Sequence, residues 1–459
     1  MRITSYGAAR GVTGSKHLLE ISDRKILLDC GMFQGHRVEA AEKNKHLPFS
    51  VQDLHAVVLS HAHIDHSGIL PVLGRHAYPG RVYATPATRD LCDIMLLDSA
   101  HIQDRDAKWL SKKHQTFVPP IYADEDVYEI MRHFVSFPYD MPFEAAPGVQ
   151  VTFKDAGHVL GSAMVKIDFE EDGRTRTFIF SGDIGRKGVP ILKNPWEPSD
   201  ADVVMMESTY GNRDHKSIES LEDELDRVIH ESVERKGKII VPTFALERAQ
   251  EFVFALKQLE ASNRIPTLPV FVDSPLTVNI TEVFRLHTDL FDRHIRKVIE
   301  ESGDPFRLKK IKYIRAVEDS MALNTMEGPA IIIAASGMCE FGRVVHHLKN
   351  NIEGDRNTVL IIGFQATNTL GRRLVDGERD VRILGMKHRV RARIEVLDGF
   401  SAHAGRQELI DFGARFAGRA ERILLVHGEE EALESLQGDL RERGCNNVTI
   451  QDEGVAVEV

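Results

Sequence analysis

The stretch His61-Ala62-His63-Ile64-Asp65-His66 follows directly on the run Ala56-Val57-Val58-Leu59-Ser60. A short run of β-branched and aliphatic residues signals a buried strand, and Gly68-Ile69-Leu70-Pro71-Val72-Leu73 beyond it signals a loop passing quickly into a helix. The metal-ligand side chains are therefore expected at a strand end. His61 and His63 are two apart, so in an extended segment their imidazoles share one side and can chelate one cation. Asp65 and His66, one turn of loop further on, offer a carboxylate and an imidazole to a second cation close by. Such donors suit zinc. A lone histidine is ordinarily a satisfied core or surface residue, and this chain has 21 of them. The register within the stretch, together with matching segments elsewhere, decides against that ordinary reading.

Three other segments match. In Ala156-Gly157-His158-Val159-Leu160-Gly161-Ser162, after the strand-like Val149-Gln150-Val151-Thr152-Phe153, a histidine sits among small residues that let the backbone approach a site. His158 can complete the histidine set of the first metal. Phe178-Ile179-Phe180-Ser181-Gly182-Asp183 ends a second buried-strand pattern in an aspartate suited to bridging two cations. Ile423-Leu424-Leu425-Val426-His427-Gly428-Glu429 repeats the arrangement, so His427 can cap the second metal. Each alone reads as an ordinary turn residue; all of them at strand ends point to metal. Asp29, in Ile26-Leu27-Leu28-Asp29-Cys30-Gly31, belongs to the same pattern as a residue that orients a ligand histidine.

The order Asp29, His61-x-His63-x-Asp65-His66, His158, Asp183 resembles the metallo-β-lactamase superfamily. Glu207-Ser208-Thr209-Tyr210-Gly211, Phe400-Ser401-Ala402-His403-Ala404-Gly405 and Val426-His427-Gly428-Glu429 resemble the three further motifs of its β-CASP subfamily, which processes nucleic acids. Asp273-Ser274-Pro275-Leu276, Ala335-Ser336-Gly337-Met338 and Gly371-Arg372-Arg373 look like segments of the β-CASP insert, so the resemblance covers essentially the whole chain. Members include bacterial ribonuclease J and the endonuclease of pre-mRNA 3′-end processing. The short tail after His427 and the early first strand pair make the compact stand-alone members the better comparison. Asn368 and Gly405 depart from the residues the family often shows at those positions, and neither is a metal ligand.

The resemblance implies an α/β architecture: an αββα metallo-β-lactamase sandwich formed by 1–210 and 388–459, with a parallel α/β β-CASP domain inserted at 211–387. It also implies two zinc ions, one held by His61, His63 and His158, the other by Asp65, His66 and His427, with Asp183 between them. Phosphodiester hydrolysis requires a strong nucleophile, neutralisation of phosphate charge and a proton for the departing oxygen. A hydroxide held between two cations meets the first two needs. The family counterpart of His403 lies beside the leaving oxygen, and Glu207 would stabilise its charged form, so Asp65, Asp183, His403 and Glu207 form the expected catalytic set. Ser336 and Gly337, in a Gly-rich turn, are expected to donate hydrogen bonds to a neighbouring phosphate.

Length and composition agree with an enzyme of this kind. With 459 residues, 42% hydrophobic and 28% charged, the chain can bury more than one core. No apolar stretch approaches the ~18–20 residues needed to cross a bilayer, and the N-terminus lacks a signal-peptide core, so no membrane association and a cytoplasmic location are expected. Cys30, Cys92, Cys339 and Cys445 are far apart, which implies neither a disulfide framework nor a cysteine zinc site. The net charge of −11 is awkward for a nucleic-acid enzyme. Local basic runs at 307–315 and 387–393, plus the bound cations, supply the compensating charge; the acidic remainder discourages indiscriminate binding.

Strand signals dominate from 2 to 58, and 89–134 reads as helical. From 209 to about 387 the rhythm changes: helix signals at 217–235 and 245–259 alternate with apolar runs at 238–242, 268–272, 330–334 and 358–362, the pattern of a parallel sheet. The leading function is a zinc-dependent ribonuclease acting on single-stranded RNA in processing or decay, as an endonuclease, a 5′→3′ exonuclease or both. A histidine at the position of His427 marks the RNA-processing members of the family. The alternatives are a small-molecule hydrolase of the lactamase or thioesterase type, against which the long insert argues, and a catalytically silent RNA-binding scaffold, against which the intact ligand set argues. The sequence is compatible with a homo-oligomer.

Overall fold

Alternation along single strands builds two cores at once. In the strand Val203–Glu207, Val203 and Met205 enter one apolar cluster while Val204 and Met206 enter another. The strand Arg422–Val426 divides in the same way, with Leu424 and Val426 on one side and Ile423 and Leu425 on the other. Successive side chains of a strand point to opposite faces, so a run of apolar residues signals a strand covered on both. Removing each large side chain from water contributes roughly 1.5–3 kcal/mol.

The computed structural model describes residues 1–35, 37–363, 365–366, 368–397 and 399–459, with backbone alone at 37, 38, 218 and 219. Its contacts form two units, one of Met1–Gly188, Lys193–Asp214 and His403–Val459, the other of Val189–Leu192 and His215–Ala402. In the first, one seven-stranded sheet has the order Ala456–Glu458, Arg2–Ser5, His17–Ile21, Arg24–Leu28, Ala56–Val58, Arg81–Ala84, Phe134–Ser136. The other seven-stranded sheet has the order Val448–Ile450, Arg422–Val426, Val203–Glu207, Arg174–Phe180, Ala163–Glu171, Val149–Asp155, Phe143–Ala146. Ile3, Leu19, Ile26, Leu28 and Val58 from the first sheet pack against Val151, Phe153, Val165, Phe178 and Phe180 from the second. The helices Arg406–Ala414 and Glu430–Glu442 cover the outer face of the second sheet through Leu409, Phe412, Leu433 and Leu436. Beside the first sheet, Leu70–Arg75, Pro86–His114 and Asp124–Met131 pack on one another, burying Leu91, Leu96, Val127 and Ile130. The unit is an αββα sandwich.

Register fixes what lies at the sheet edges. Arg174–Phe180, Val203–Glu207 and Arg422–Val426 are parallel neighbours, with Phe180 opposite Met205 and Glu207 opposite Val426. Their carboxyl ends therefore bring Asp183, Glu207 and His427 to one edge. Val149–Asp155 runs antiparallel to Ala163–Glu171, so the connecting turn carries His158 to that same edge. In the other sheet Leu28 pairs with Val58 in parallel, which places Asp29 beside the start of the 59–66 segment.

The second unit is built on a six-stranded parallel sheet in the order Ile311–Tyr313, Val270–Val272, Ala330–Ala334, Lys238–Pro242, Thr358–Ile361, Arg393–Val396, and also holds a separate antiparallel pair, Asp380–Ile383 with Met386–Arg389. The pairing of Thr358–Ile361 with Arg393–Val396 keeps the stretch 388–402 in this unit. The four central strands are buried on both faces, which is why they read as largely apolar runs, whereas the edge strands Ile311–Tyr313 and Arg393–Val396 are partly exposed and carry charged residues.

Local readings change in three places. The helix Arg37–Lys45 interrupts the strand-rich N-terminal stretch. The expected helix over 89–134 is two: Pro86–His114 stops at Gln115, which is left-handed at φ 52°, and Asp124–Met131 starts again with acidic residues in its first turn. Asp65 and His66 lie in the helical turn Ile64–Ser67 instead of a loop. The four cysteines are buried and unpaired with one another, and no described helix is long and apolar enough to cross a membrane.

A polar hub anchors the second unit. Asp273, fully buried after the strand Val270–Val272, accepts hydrogen bonds from Arg343 Nη1 at 2.6 Å, His347 Nε2 at 2.6 Å and Ser320 Oγ at 2.5 Å. Burial pushes its pKa up, but the bonds from His347, Ser320 and Arg343 outweigh burial and hold it below the usual aspartate value. A depressed folded-state pKa contributes stability that is present above the unfolded-state value of about 3.9 and is lost as pH falls through the folded value. Asp273→Ala should lower stability by about 3–5 kcal/mol, the cost of stranding buried partners. Urea unfolding followed by circular dichroism at neutral pH checks this, and a variant with an unchanged midpoint would contradict it.

Candidate metal centre

Eight side chains meet at the sheet edge of the first unit: His61, His63, Asp65, His66, His158, Asp183, His427 and His403. Glycines permit the approach. A Cβ at Gly31 would stand 1.6 Å from the Asp65 carbonyl oxygen, and one at Gly185 would stand 1.9 Å from that of Gly157, so neither pair of loops could close with a larger residue.

The donors form two groups that share one carboxylate. His61 Nε2 and His63 Nδ1 are 3.1 Å apart, His158 Nε2 is 3.3 Å from His63 Nδ1, and Asp183 Oδ2 is 3.5 Å from both His61 Nε2 and His158 Nε2. On the other side His66 Nε2 and His427 Nε2 are 3.1 Å apart, Asp65 Oδ2 is 3.7 Å from His427 Nε2, and Asp183 Oδ1 is 3.4 Å from His66 Nε2. A tetrahedral cation with donors at ~2.0–2.1 Å separates those donors by about 3.3 Å. The spacing fits.

Hydrogen bonds fix which lone pairs face inward. Ser60 Oγ donates to Asp29 Oδ2 at 3.0 Å and so accepts from His61 Nδ1 at 2.9 Å, leaving the His61 Nε2 lone pair toward His63. His66 Nδ1 donates to Asp29 Oδ2 at 2.7 Å. Thr209 Oγ1 donates to the His427 carbonyl at 3.1 Å and accepts from His427 Nδ1 at 3.1 Å. The Nε2 atoms of His66 and His427 therefore confront each other at 3.1 Å, and Asp183 Oδ1 is buried without accepting a hydrogen bond. Facing ring nitrogens, which only a shared proton or a cation reconciles, and an orphaned carboxylate oxygen mark a place for positive charge. The donor set fits a metal on the chemistry of its own atoms.

Electrostatics follow from crowding. Burial opposes the charged forms of His61 and His158 and holds both well below the usual imidazole value. At His66, burial is outweighed by the Asp183 and Asp29 charges, which pull it well above that value. Burial would likewise neutralise Asp183, yet His427, His66 and His403 keep it a carboxylate. Asp29 and His427 both adopt left-handed backbone, at φ 59° and 51°. Such conformations are rare outside glycine and asparagine and cluster where surrounding structure imposes them on a site.

His403 stands beside these groups, with 21% of its side chain exposed. Its Nδ1 is 3.1 Å from Glu207 Oε1 and 3.9 Å from Asp183 Oδ2. Glu207 is fully buried; Oε1 also accepts the Ile184 N–H at 2.6 Å and Oε2 the Thr209 N–H at 3.3 Å, so the carboxylate cannot turn away. Burial opposes the imidazolium, but Glu207 and Asp183 outweigh it and raise the His403 pKa to about 9. Ser336 and Gly337 belong to the second unit, immediately beyond the strand Ala330–Ala334. Sequence reasoning assigned no role to Ser60 or Thr209. Their neighbours His61 and Glu207 were the available signal, since a hydroxyl next to a ligand in sequence is well placed to set its tautomer.

Comparisons with known proteins identify the domains that the chain carries. Residues 18–179 match the metallo-β-lactamase superfamily domain, 249–374 the Beta-Casp domain and 387–451 the Zn-dependent metallo-hydrolase RNA specificity domain. Ribonuclease TTHA0252 of Thermus thermophilus is 37% identical over 97% of both chains. The chain belongs to the β-CASP family of the metallo-β-lactamase superfamily. It is accordingly a metal-dependent hydrolase of a nuclease family, one that carries an RNA specificity domain. Two further relatives are named transcription termination factor FttA: that of Methanocaldococcus jannaschii is 30% identical and that of Methanosarcina mazei 29%, each over 94% of this chain and 67% of its own length. A crystal structure of a protein of unknown function from Enterococcus faecalis shares the fold, with a TM-score of 0.57, 14% identity and 99% of each chain covered.

Asp29 accepts from the Ser60 N–H at 2.8 Å as well as from Ser60 Oγ and His66, so a single carboxylate steadies ligands of both groups. Asn in its place keeps one acceptor and turns an NH₂ toward donors. Asp29→Asn should weaken metal retention about 10- to 100-fold, the usual effect of losing a group that orients a ligand. Competition against a chromogenic chelator measures this, and unchanged retention would contradict it.

Proposed function

We propose that this chain is a zinc-dependent ribonuclease that hydrolyses phosphodiester bonds of single-stranded RNA. The observation that carries the proposal is the pair of donor groups sharing Asp183 next to a histidine held in its charged form by a buried glutamate. His61, His63 and His158 would hold one ion; Asp65, His66 and His427 the other; Asp183 both. Zinc bound there would supply Lewis acidity toward the phosphate and toward the attacking water.

The chain's own groups do the rest. Asp183, kept ionised, accepts positive charge on both of its oxygens. Glu207 holds His403 Nδ1, so the proton available for transfer is on Nε2, and it goes to the oxygen that departs when the P–O bond breaks. The buried Glu207 carboxylate, 3.1 Å from Nδ1, favours the charged form of His403 and so loads it as an acid before the substrate arrives. Ser336 and Gly337 would donate hydrogen bonds to a neighbouring phosphate. Support for RNA over DNA comes from His427, the RNA specificity domain and the ribonuclease relative. Exposed basic residues of the second unit, Lys309, Lys310, Lys312, Lys387 and Arg391, offer counter-charge to a polyanion within a chain of net charge −11.

RNA labelled at either end, incubated with the purified protein and sized over time, tests the proposal. Internal fragments identify an endonuclease and mononucleotides from the 5′ end an exonuclease; equal cutting of RNA and DNA of one sequence would remove the weight placed on His427. Elemental analysis should give about two zinc ions per chain. Intact nuclease activity in metal-free protein would overturn the mechanism.

His403→Ala should keep the metal and RNA affinity yet lose about 10²- to 10⁴-fold in single-turnover rate. Asp65→Ala should instead lose metal. Because Glu207 acts through His403, the double variant should be little worse than His403→Ala alone. A His403 variant that cleaves at the wild-type rate, or that sheds zinc, would assign this histidine another role.

A further inference from the structure

The connections of the second unit diverge at its centre. From Lys238–Pro242 the chain leaves for Val270–Val272 on one side, whereas from its neighbour Thr358–Ile361 it leaves for Arg393–Val396 on the other. Divergence of this kind opens a crevice outside the carboxyl ends of a parallel sheet, the position at which such sheets receive ligands.

An aromatic ring stands at this position. Phe244 follows Pro242 by two residues and keeps 37% of its surface exposed, although a ring of this size is ordinarily buried in such a sheet. It rests on glycine backbone: a Cβ at Gly337 would stand 2.8 Å from Phe244 Cδ2, and one at Gly363 would stand 3.5 Å from Cε2. The bed beneath the ring is tied together. Gln365 Nε2 donates to the carbonyls of Gly337 at 2.9 Å and Gly363 at 3.1 Å, and the Thr243 N–H reaches the Ala334 carbonyl at 3.1 Å. The ring is therefore fixed from one side by two glycines and open on another. Beside it, Ser336 Oγ accepts the Glu340 N–H at 3.3 Å and the Phe341 N–H at 3.4 Å, so its own proton is directed elsewhere. Phe341, 40% exposed, closes the same turn through its carbonyl, which accepts the Ser336 N–H at 3.2 Å.

A flat apolar face held rigid next to a hydroxyl donor matches one nucleotide of an unpaired strand, base on the ring and phosphate on the hydroxyl. We infer that Phe244, propped by Gly337 and Gly363, is a stacking platform for a nucleobase of single-stranded RNA, with Ser336 Oγ donating to the adjoining phosphate. The inference rests on the ribonuclease proposal and deepens it by naming what selects the substrate. Every base has a π face, so the platform tolerates sequence, and a paired base cannot reach it, so it favours single strands.

The test uses full-length, metal-loaded protein carrying His403→Ala to keep the RNA intact, with fluorescein-labelled single-stranded RNA followed by anisotropy. Phe244→Leu keeps apolar bulk and removes the π face; it should weaken binding about 5- to 150-fold, the factor equivalent to losing one stacked base. Phe244→Tyr should restore it. RNA with an abasic site at successive positions should show one position that weakens binding to the Phe244 protein and has no effect on the Phe244→Leu protein. That pairing holds even if Phe244→Leu is less stable, because the abasic scan on the Phe244 protein stands alone. Unchanged affinity of Phe244→Leu, or an abasic scan without a sensitive position, overturns the platform while RNA cleavage by the unsubstituted protein leaves the ribonuclease proposal standing. Failure of the unsubstituted protein to bind or cut RNA overturns both.

Discussion

A carboxylate taken wholly out of water must find positive charge, and Asp183 is such a carboxylate. Its Oδ2 lies 3.5 Å from two imidazole nitrogens, and its Oδ1 accepts no hydrogen bond while lying 3.4 Å from a third. Stranding a buried charge costs several kcal/mol, more than the burial of any one apolar side chain returns. The surrounding architecture meets that demand: beside Asp183 and Glu207 at two parallel strand ends, a third strand end brings His427, one antiparallel turn brings His158 and the 59–66 segment brings His61, His63 and His66 to the same edge. The sandwich core supplies rigidity and the edge concentrates the polarity.

Support for that edge is layered. Asp29 holds His66 directly and reaches His61 through Ser60, while Thr209 sets His427. A ligand ring whose far nitrogen is already engaged loses little freedom when its near nitrogen binds. The left-handed backbone of Asp29 and His427 belongs to the same economy, since a cost of order 1–3 kcal/mol at each position is sustained by the core on which the strands are built. Glu207 plays a comparable part for His403, accepting two backbone N–H groups that prevent it from following the imidazole.

The second unit meets a different demand. The central strands of its sheet are covered on both faces, and the polar hub around Asp273 ties the end of Val270–Val272 and the helix Arg343–Asn351 together. The loops beyond the strand ends are thereby held by the scaffold, and they carry the small residues on which Phe244 rests. Binding surfaces on loops fixed by a rigid sheet are the usual division of labour in parallel α/β proteins.

Pattern alone was enough for much of this. The runs at 238–242 and 330–334 are strands with those very limits, because a strand buried on both faces is almost wholly apolar; Lys238, the one charged residue, is buried at the strand start with its ammonium donating to the Leu323 and Asn324 carbonyls. The spacing His61-x-His63-x-Asp65-His66 placed donors at a strand end, because residue types that bind metal are rarely clustered without cause. Pattern was silent where distance in sequence is large. That Thr209 would engage His427, that Ser60 would sit between Asp29 and His61, and that Gly337 and Gly363 would lie under one ring follow from strand order and register, which depend on how sheets pair across the whole chain. The helical turn at Ile64–Ser67 and the break after His114 were missed for the opposite reason: short helices and their ends are decided by tertiary packing and caps that outweigh local propensity. The sequence determined which chemistry the chain carries and on which strand ends; the tertiary structure decided which of those groups face one another, because only closure of the sheets turns neighbours in register into neighbours in space.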